Sequence, residues 1–171
     1  NVFRRKPFQI ETHKNNIFIM PKKGNIYYKS INDLYNFDKT FKKIDSSIET
    51  ENSLDFYMDQ NHIYVSYVKN SNNCKHLYLA KAKINFSKLI FEDIFSITNE
   101  CMGNIQAGRI QKISKDNISH ILISTAADML KDKGQKDSKP QSDSSLYGKI
   151  IAINEKDYST KIYTKGHRNI L

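Results

Sequence analysis

The sequence predicts an all-β chain, and three observations lead to that prediction. Short runs rich in Ile, Tyr, Val and Phe recur along its 171 residues. Clusters of Asn, Asp, Gly, Pro and Ser separate the runs, as in PKKG, DQN, KNSNN, SKDN and NEKD, and such residues end one strand and begin the turn to the next. A weak internal repeat also relates three of the runs to one another.

Ten segments have the β-branched and aromatic content that is typical of strands. In chain order they are NIFIM (16–20), GNIYYKS (24–30), SLDFYM (53–58), HIYVSYV (62–68), KHLYLAKAKI (75–84), KLIFEDIF (88–95), GRIQKI (108–113), HILIST (120–125), YGKIIAI (147–153) and TKIYT (160–164).

Two segments interrupt this series. The stretch INDLYNFDKTF (31–41) predicts a helical turn or an irregular connection, and its Asp and Asn content favours the irregular connection. The stretch 128–145 is polar, charged and nearly devoid of apolar residues. We therefore expect it to form a long loop outside the core, and long loops of this kind tend to be functional or mobile.

The repeat comprises NNIFIM, NHIYVS and SHILIS, in which two polar residues precede Ile17, Ile63 and Ile121. A strand with two-residue alternation follows each copy, and the spacing is close to that of a propeller blade with loop insertions. Continuous apolar runs are typical of strands that are buried on both faces. The pattern predicts a β-propeller with three blades of four strands, and a stacked β-sandwich is the alternative.

The net charge of +9 raises the question of a nucleic-acid partner. The lysines are scattered, however, and no nucleic-acid-binding motif accompanies them, so we interpret the charge as a solvated surface and predict no nucleic-acid partner. No apolar run approaches the roughly 20 residues of a membrane span, so none is predicted. The first residue is Asn1 and the last two are apolar, from which we expect residues 1–171 to be one partial domain of a longer chain.

Two cysteines, Cys74 and Cys101, lie in polar segments that resemble turns. Neither belongs to a CxxC motif, and two cysteines do not make a zinc site of the usual kind. They form a disulfide if the compartment is oxidising, or they are two unrelated thiols.

The sequence has no GxGxxG, GxxxxGK[ST], GxSxG or HExxH motif. The run Gly166 to Asn169, GHRN, directly follows a predicted strand. A guanidinium beside an amide suits an anionic or carbonyl-rich planar ligand. The alternative is a turn between blades that the asparagine caps.

The order and spacing of these segments resemble the soluble glucose/sorbosone (aldose sugar) dehydrogenases that depend on pyrroloquinoline quinone. That family typically reads GGRL, LYVTTGD, a loop with AQ and a serine, GKILRIN and IYSYGHRNPQG. The likeness spans about residues 53–171 and is strongest from Gly108 onward. The segments that carry it are HIYVSYV, NIQAGRIQKIS, HILIST, PQSDSSLYGKIIAIN and KIYTKGHRN.

The resemblance implies a six-bladed propeller, of which about three blades are present, and a periplasmic or extracellular location. It implies pyrroloquinoline quinone and calcium as cofactors, and an aldose or related sugar as the substrate. The Arg and Asn of the family motif contact the quinone, so Arg168 and Asn169 are the implied cofactor-binding residues. The calcium ligands of the family would follow Leu171, and no metal ligand is predicted in this chain.

The departures from the family pattern bear on catalysis. The family's general-base histidine corresponds to Ile105, which cannot accept a proton. Ala126 or Ala127 stands where the family has the glycine of TTGD, and Ile170 stands where it has proline. Two functions therefore stay open: an active dehydrogenase that uses another base, with His167 the nearest candidate, or an inactive propeller that binds a ligand or a protein.

Overall fold

The computed structural model describes residues 8–23, 25–48, 52–72, 74–102, 107–127 and 139–167. Within these ranges the chain is all-β, with one short 3₁₀ helix (Ile31–Asp33). The strands are β1 (Phe8–His13), β2 (Asn16–Pro21), β3 (Ile26–Ser30), β4 (Lys42–Ser46), β5 (Asn52–Met58), β6 (His62–Ser71), β7 (Cys74–Lys83), β8 (Lys88–Leu89), β9 (Glu92–Met102), β10 (Ile110–Lys115), β11 (Ile118–Ser124), β12 (Lys149–Asn154) and β13 (Thr160–Lys165).

In the described part of the chain the strands form three sheets, none of which closes on itself. Sheet I has the order β1-β2-β3-β4-β8, sheet II has β5-β6-β7-β9 and sheet III has β10-β11-β12-β13. All pairs are antiparallel except β4 with β8. Strand β5 contacts both β1 and β10, so the first strands of the three sheets lie side by side.

The repeat in the sequence falls at equivalent places in the three sheets. Ile17, Ile63 and Ile121 lie in β2, β6 and β11, the second strand of each sheet. The alternating segments that follow the repeats form the third strands, β3, β7 and β12. Each copy of the repeat therefore marks one antiparallel unit of four neighbouring strands, of which it forms the second.

Sheet II is buried on both faces because it packs between the other two. One apolar cluster joins its Tyr64, Leu77 and Leu79 to residues of sheet III such as Ile121 and Ile151. The side chains of β6 alternate between the two faces, since successive residues of a strand point in opposite directions. This double burial explains the nearly continuous apolar run of β6.

A second apolar cluster joins sheet II to sheet I. It packs Phe56, Ile63 and Val65 of sheet II against Phe18 and Met20 of sheet I. Both interfaces exclude water from large aliphatic and aromatic side chains, and at about 25 cal/mol per Å² this burial is the main favourable contribution to folding.

The structure confirms all-β architecture and corrects three details of the predicted elements. The segment 88–95, predicted as one strand, is divided between β8 of sheet I and β9 of sheet II. The amide of Ser47 donates to the carbonyl oxygen of Leu89 at 3.0 Å, which fixes β8 on β4. The sequence prediction also missed β1 and β4. The run KKIDS of β4 contains a single apolar residue, whereas FQIETH of β1 does have Phe8 and Ile10 at alternate positions, a signal that the prediction did not use.

The cysteines correct another expectation, since both lie in strands and not in turns. Cys74 is the first residue of β7 and Cys101 lies near the end of β9. Among the described residues, no helix has the length and apolar character needed to cross a membrane.

Candidate functional site

Gly166 and His167, the first two residues of the GHRN motif, lie at one end of sheet III, where β12 begins and β13 ends. Because the two strands are antiparallel, the start of β12 and the end of β13 lie at the same end of the sheet. Residues 139–148, which precede β12, lie against this end of the sheet in turns without strand pairing. We call residues 139–148 the anchor segment.

Backbone hydrogen bonds fix the first two residues of the motif to the anchor segment. The amide of Gly166 donates to the carbonyl oxygen of Pro140 at 2.7 Å, and the amide of His167 donates to that of Gly148 at 3.0 Å. The Nε2 atom of His167 lies 2.6 Å from Oγ1 of Thr164. Arg168 and Asn169 fall outside the described residues, so their expected role as cofactor ligands stays a prediction.

Two glycines make this close approach possible. Gly148 has a φ of +70°, and a Cβ atom there would lie 2.6 Å from Cβ of Pro140 and 2.7 Å from the carbonyl oxygen of His167. Gly166 has a φ of +90°, and its Cβ would lie 2.7 Å from Nε2 of Gln141. Both positions therefore require the left-handed backbone and small volume of glycine.

A fully buried lysine holds the anchor segment from sheet III. Lys149 is the first residue of β12 and its side chain has no solvent exposure. Its ammonium donates to the carbonyl oxygens of Lys139 at 2.7 Å, Pro140 at 3.0 Å and Tyr147 at 2.9 Å. The carbonyl dipoles replace the water that the ammonium loses on burial.

A carboxylate holds the same segment from sheet II. Glu100 in β9 accepts hydrogen bonds from Oγ of Ser145 at 2.8 Å and from the amide of Leu146 at 2.9 Å. The ammonium of Lys139 lies 3.4 Å from the same carboxylate. Residues 128–138 of the predicted loop lie outside the described residues. In the rest of it Ser145 is only 4% exposed, which corrects the expectation that 128–145 stays outside the core.

A second polar contact joins sheets II and III at the start of β10. Asp55 in β5 accepts a hydrogen bond from the amide of Ile110 at 2.9 Å and pairs with the guanidinium of Arg109 at 3.2 Å. Burial raises the pKa of Asp55, while the hydrogen bonds from Ile110 and Arg109 oppose that rise. This carboxylate tethers β10 to β5.

A separate charged cluster joins the same two sheets near the other end of their strands, where β5 and β12 end. The ammonium of Lys112 lies 2.7 Å from Asp59 and 2.8 Å from Glu155. Tyr64 donates its hydroxyl hydrogen to Glu155. Burial disfavours ionisation of both carboxyls, but the hydrogen bonds from Lys112 and neighbouring donors outweigh it and lower the pKa of Asp59 and of Glu155 to about 2.

The cluster also contains His62, and the three side chains Asp59, His62 and Glu155 are close enough together to bind one metal ion. One ligand atom from each of Asp59, His62 and Glu155 lies within 4.8 Å of the others. The Lys112 ammonium, however, already bridges the two carboxylates, and the amides of Asn61 and His62 donate to Asp59 at 2.8 and 2.7 Å. The protein thus supplies its own cation here, and the cluster serves as a connection between sheets.

The two cysteines form a disulfide, with their Cα atoms 5.0 Å apart. The bridge joins the start of β7 to the end of β9. Of the two alternatives that the sequence left open, the structure selects the disulfide. The bridge fixes the strand end that carries Glu100, the neighbour of Cys101.

The residue types of the GHRN segment bear on the cofactors that the resemblance implies. The polypeptide before Arg168 is held in place, and a guanidinium with an amide fits the carbonyl and carboxylate oxygens of a quinone such as pyrroloquinoline quinone. The sequence has isoleucine at position 105, where the family has its base. Ile105, like Arg168 and Asn169, lies outside the described residues, so the quinone stays a prediction.

The sequence interpretation identified the GHRN motif but missed the residues that hold it. The role of Glu100 and Lys149 could not be predicted from the sequence, because an isolated carboxylate and the lysine of a GKI motif have no distinctive local pattern. Gly148 and Gly166 did carry a signal, since both belong to the quoted motifs.

No protein-family model matches this chain, and a search of curated proteins finds no match. The contacts of the described residues and the motif likeness are therefore the basis for a function.

Proposed function

We propose that this chain is part of a quinone-dependent sugar dehydrogenase of the glucose/sorbosone type, built as a β-propeller. The single observation that supports the proposal most is the contact of three separate motif segments. Pro140 and Gln141 of the loop, Gly148 of the GKI motif and Gly166 of GHRN meet at one place. Three segments that match the family in order are thus in contact, and this close contact explains why Gly148 and Gly166 are glycines.

The arrangement of the sheets supports the propeller part of the proposal. Three similar antiparallel sheets follow one another along the chain, and their first strands lie next to one another through β5. A stack of this kind is what successive blades around an axis would produce, with the first strands innermost. A closed ring of further sheets around the same axis is the expected complete fold.

In this proposal Arg168 and Asn169 bind the quinone oxygens. Pyrroloquinoline quinone, when bound, would supply the chemistry of accepting a hydride from the sugar. The guanidinium of Arg168 would stabilise negative charge on the bound ligand, and the amide of Asn169 would donate and accept hydrogen bonds that orient it. The anchor segment would hold both residues in place through Gly166 and His167.

The test uses the full-length protein of which this chain is proposed to be part, with pyrroloquinoline quinone and calcium. Quinone binding is measured by titration, and turnover is measured by reduction of a redox dye with a panel of aldoses. We expect binding in the unmodified protein and its loss in Arg168→Ala. Lys161→Ala is the matched control, because Lys161 is an exposed cation on β13. Absence of quinone binding by the unmodified protein would overturn the proposal.

A second function, ligand binding without catalysis, is favoured by two observations. The expected base is replaced by Ile105, and an open cavity of about 680 Å³ lies at the ends of β1 and β5. Its lining includes Thr12, His13, Tyr57 and Asn61, which offer hydroxyl, imidazole and amide groups. Quinone binding without turnover for any aldose would favour this function over the dehydrogenase.

A further inference from the structure

We propose that Glu100 and Lys149 are positioning residues, which hold the anchor segment from two different sheets and thereby fix the backbone that leads into Arg168 and Asn169. The positioning itself is a property of the described residues. Only the identity of the ligand whose affinity depends on it rests on the proposed function.

The first step is that two opposite charges act on one segment. Glu100 binds its second half, through Ser145 and Leu146, at 2.8 and 2.9 Å. Lys149 binds its ends, through carbonyl oxygens of Lys139, Pro140 and Tyr147, as described above. Each charge belongs to a strand of a different sheet, so the segment is held between sheets II and III.

The second step is that the segment has little regular structure to hold it otherwise. It contains turns and no strand. The amide of Ser142 donates to the carbonyl oxygen of Lys139 at 3.2 Å, and the hydroxyl of Thr125 donates to the carbonyl oxygen of Leu146 at 2.7 Å. The buried side chain of Tyr147 and the ion pair of Lys165 with Asp143 also hold the segment. Hydrogen bonds to ionised groups are roughly twice as strong as those between neutral groups, so we expect Glu100 and Lys149 to be its strongest polar attachments.

The third step connects the segment to the GHRN motif. The carbonyl oxygen of Pro140 accepts hydrogen bonds from both the Lys149 ammonium, at 3.0 Å, and the Gly166 amide, at 2.7 Å. One oxygen atom therefore joins the buried charge to the motif. The carbonyl oxygen of Gly148, directly before Lys149, accepts the His167 amide. A displacement of the anchor segment must disturb both bonds.

Burial makes the role of Lys149 conditional on the anchor segment. An ammonium without solvent exposure is costly unless its protons are bonded. The segment and the lysine therefore stabilise each other, and loss of either should release the other. Glu100 adds a second attachment, and it lies next to Cys101, whose disulfide fixes the end of β9.

The experiment measures hydrogen exchange of individual backbone amides in the full chain by nuclear magnetic resonance. The variants are Glu100→Gln and Lys149→Met. The controls are Glu92→Gln, which changes a carboxylate at the other end of β9, and Lys161→Met, which removes an exposed cation from β13. We expect the exchange of the Gly166 and His167 amides to accelerate at least tenfold in the two variants and to stay unchanged in the controls.

Core amides distinguish positioning from general destabilisation. The amides of Leu79 and Ile123, in the central strands of sheets II and III, should keep their protection in the two variants. Equal acceleration at these amides, or unchanged exchange at Gly166 and His167, would overturn the proposal. Ser145→Ala and Lys149→Arg provide milder changes should the first variants not fold, and we expect smaller accelerations at the same two amides.

Quinone titration of the same variants, made in the full-length protein, provides the second measurement. We expect the affinity for pyrroloquinoline quinone to fall at least tenfold in Glu100→Gln and Lys149→Met, and to be retained in both controls. If the unmodified protein does not bind the quinone, the proposed function fails, whereas the exchange rates at Gly166 and His167 still decide whether Glu100 and Lys149 act as positioning residues.

Discussion

The ammonium of Lys112 lies 2.7 Å from Oδ2 of Asp59, and this contact joins β10 of sheet III to the turn between β5 and β6 of sheet II. The same ammonium lies 2.8 Å from Glu155, in the turn between β12 and β13. The side chains of both carboxylates are only 15% exposed. Partly buried charges that are paired and hydrogen-bonded make the interface sensitive to their protonation.

The first prediction concerns the dependence of stability on pH. The pKa values of Asp59 and Glu155 are lowered to about 2 in the folded protein. Their contribution is therefore complete above the pKa values of the unfolded chain, near 4, and is lost as the pH falls toward 2. We expect the free energy of unfolding to fall by on the order of 3 kcal/mol between pH 6 and pH 2.5, measured by urea unfolding.

Lys112→Met provides the control for this pH dependence. Without the ammonium, the two carboxylates lose the partner that lowers their pKa, so the variant should be less stable at pH 6 and its stability should change less with pH. A slope equal to that of the unmodified protein would show that the cluster is not its source.

The second prediction concerns the disulfide. The bridge joins residues 27 positions apart. For a loop of this length the chain-entropy argument gives about 3 to 4 kcal/mol of stabilisation. Cys74→Ser should therefore lower the free energy of unfolding by that amount in guanidinium denaturation.

Two further variants act as controls for the disulfide prediction. Cys101→Ser and the double variant should each lose the same free energy as Cys74→Ser, because one bridge is removed in all three. Losses that add in the double variant would contradict the existence of the bridge in solution.

The third prediction compares the two partners at the start of β10. Asp55→Ala leaves the Ile110 amide without its acceptor, and we expect a loss of about 2 to 3 kcal/mol. Arg109 is 53% exposed at its side chain, so Arg109→Ala should cost less than about 1 kcal/mol. Thermal and urea unfolding of both variants check the difference. Equal losses would show that the ion pair with Arg109, and not the hydrogen bond from the Ile110 amide, is the main source of the stabilisation by Asp55.

The fourth prediction concerns Gly148. An alanine there would place its Cβ 2.6 Å from Cβ of Pro140 in a left-handed backbone conformation. Backbone strain and overpacking together should cost about 2 to 4 kcal/mol in the free energy of unfolding. Gly166→Ala should cost less, because its closest contact is the flexible end of Gln141. The opposite order of the two losses would contradict the structure of the anchor segment.

Much of the fold could be predicted from the sequence because strands have a local pattern. Each of the ten predicted segments overlaps a strand, and the repeat at Ile17, Ile63 and Ile121 identified the second strand of each sheet. The prediction did not identify β4, whose single apolar residue gives no alternation. It also did not separate β8 from β9, because the division depends on pairing with a strand about 40 residues earlier.

The sequence by itself determined the all-β class, the repeat and the glycines of the GKI and GHRN segments, because period, residue type and backbone freedom are local properties. Only the tertiary structure decided that Cys74 meets Cys101, that Lys112 joins Asp59 to Glu155, and that Glu100 and Lys149 hold one segment between two sheets. Each of these contacts joins residues from different strands or loops. Their energies depend on distance and burial, which are fixed only when the sheets pack.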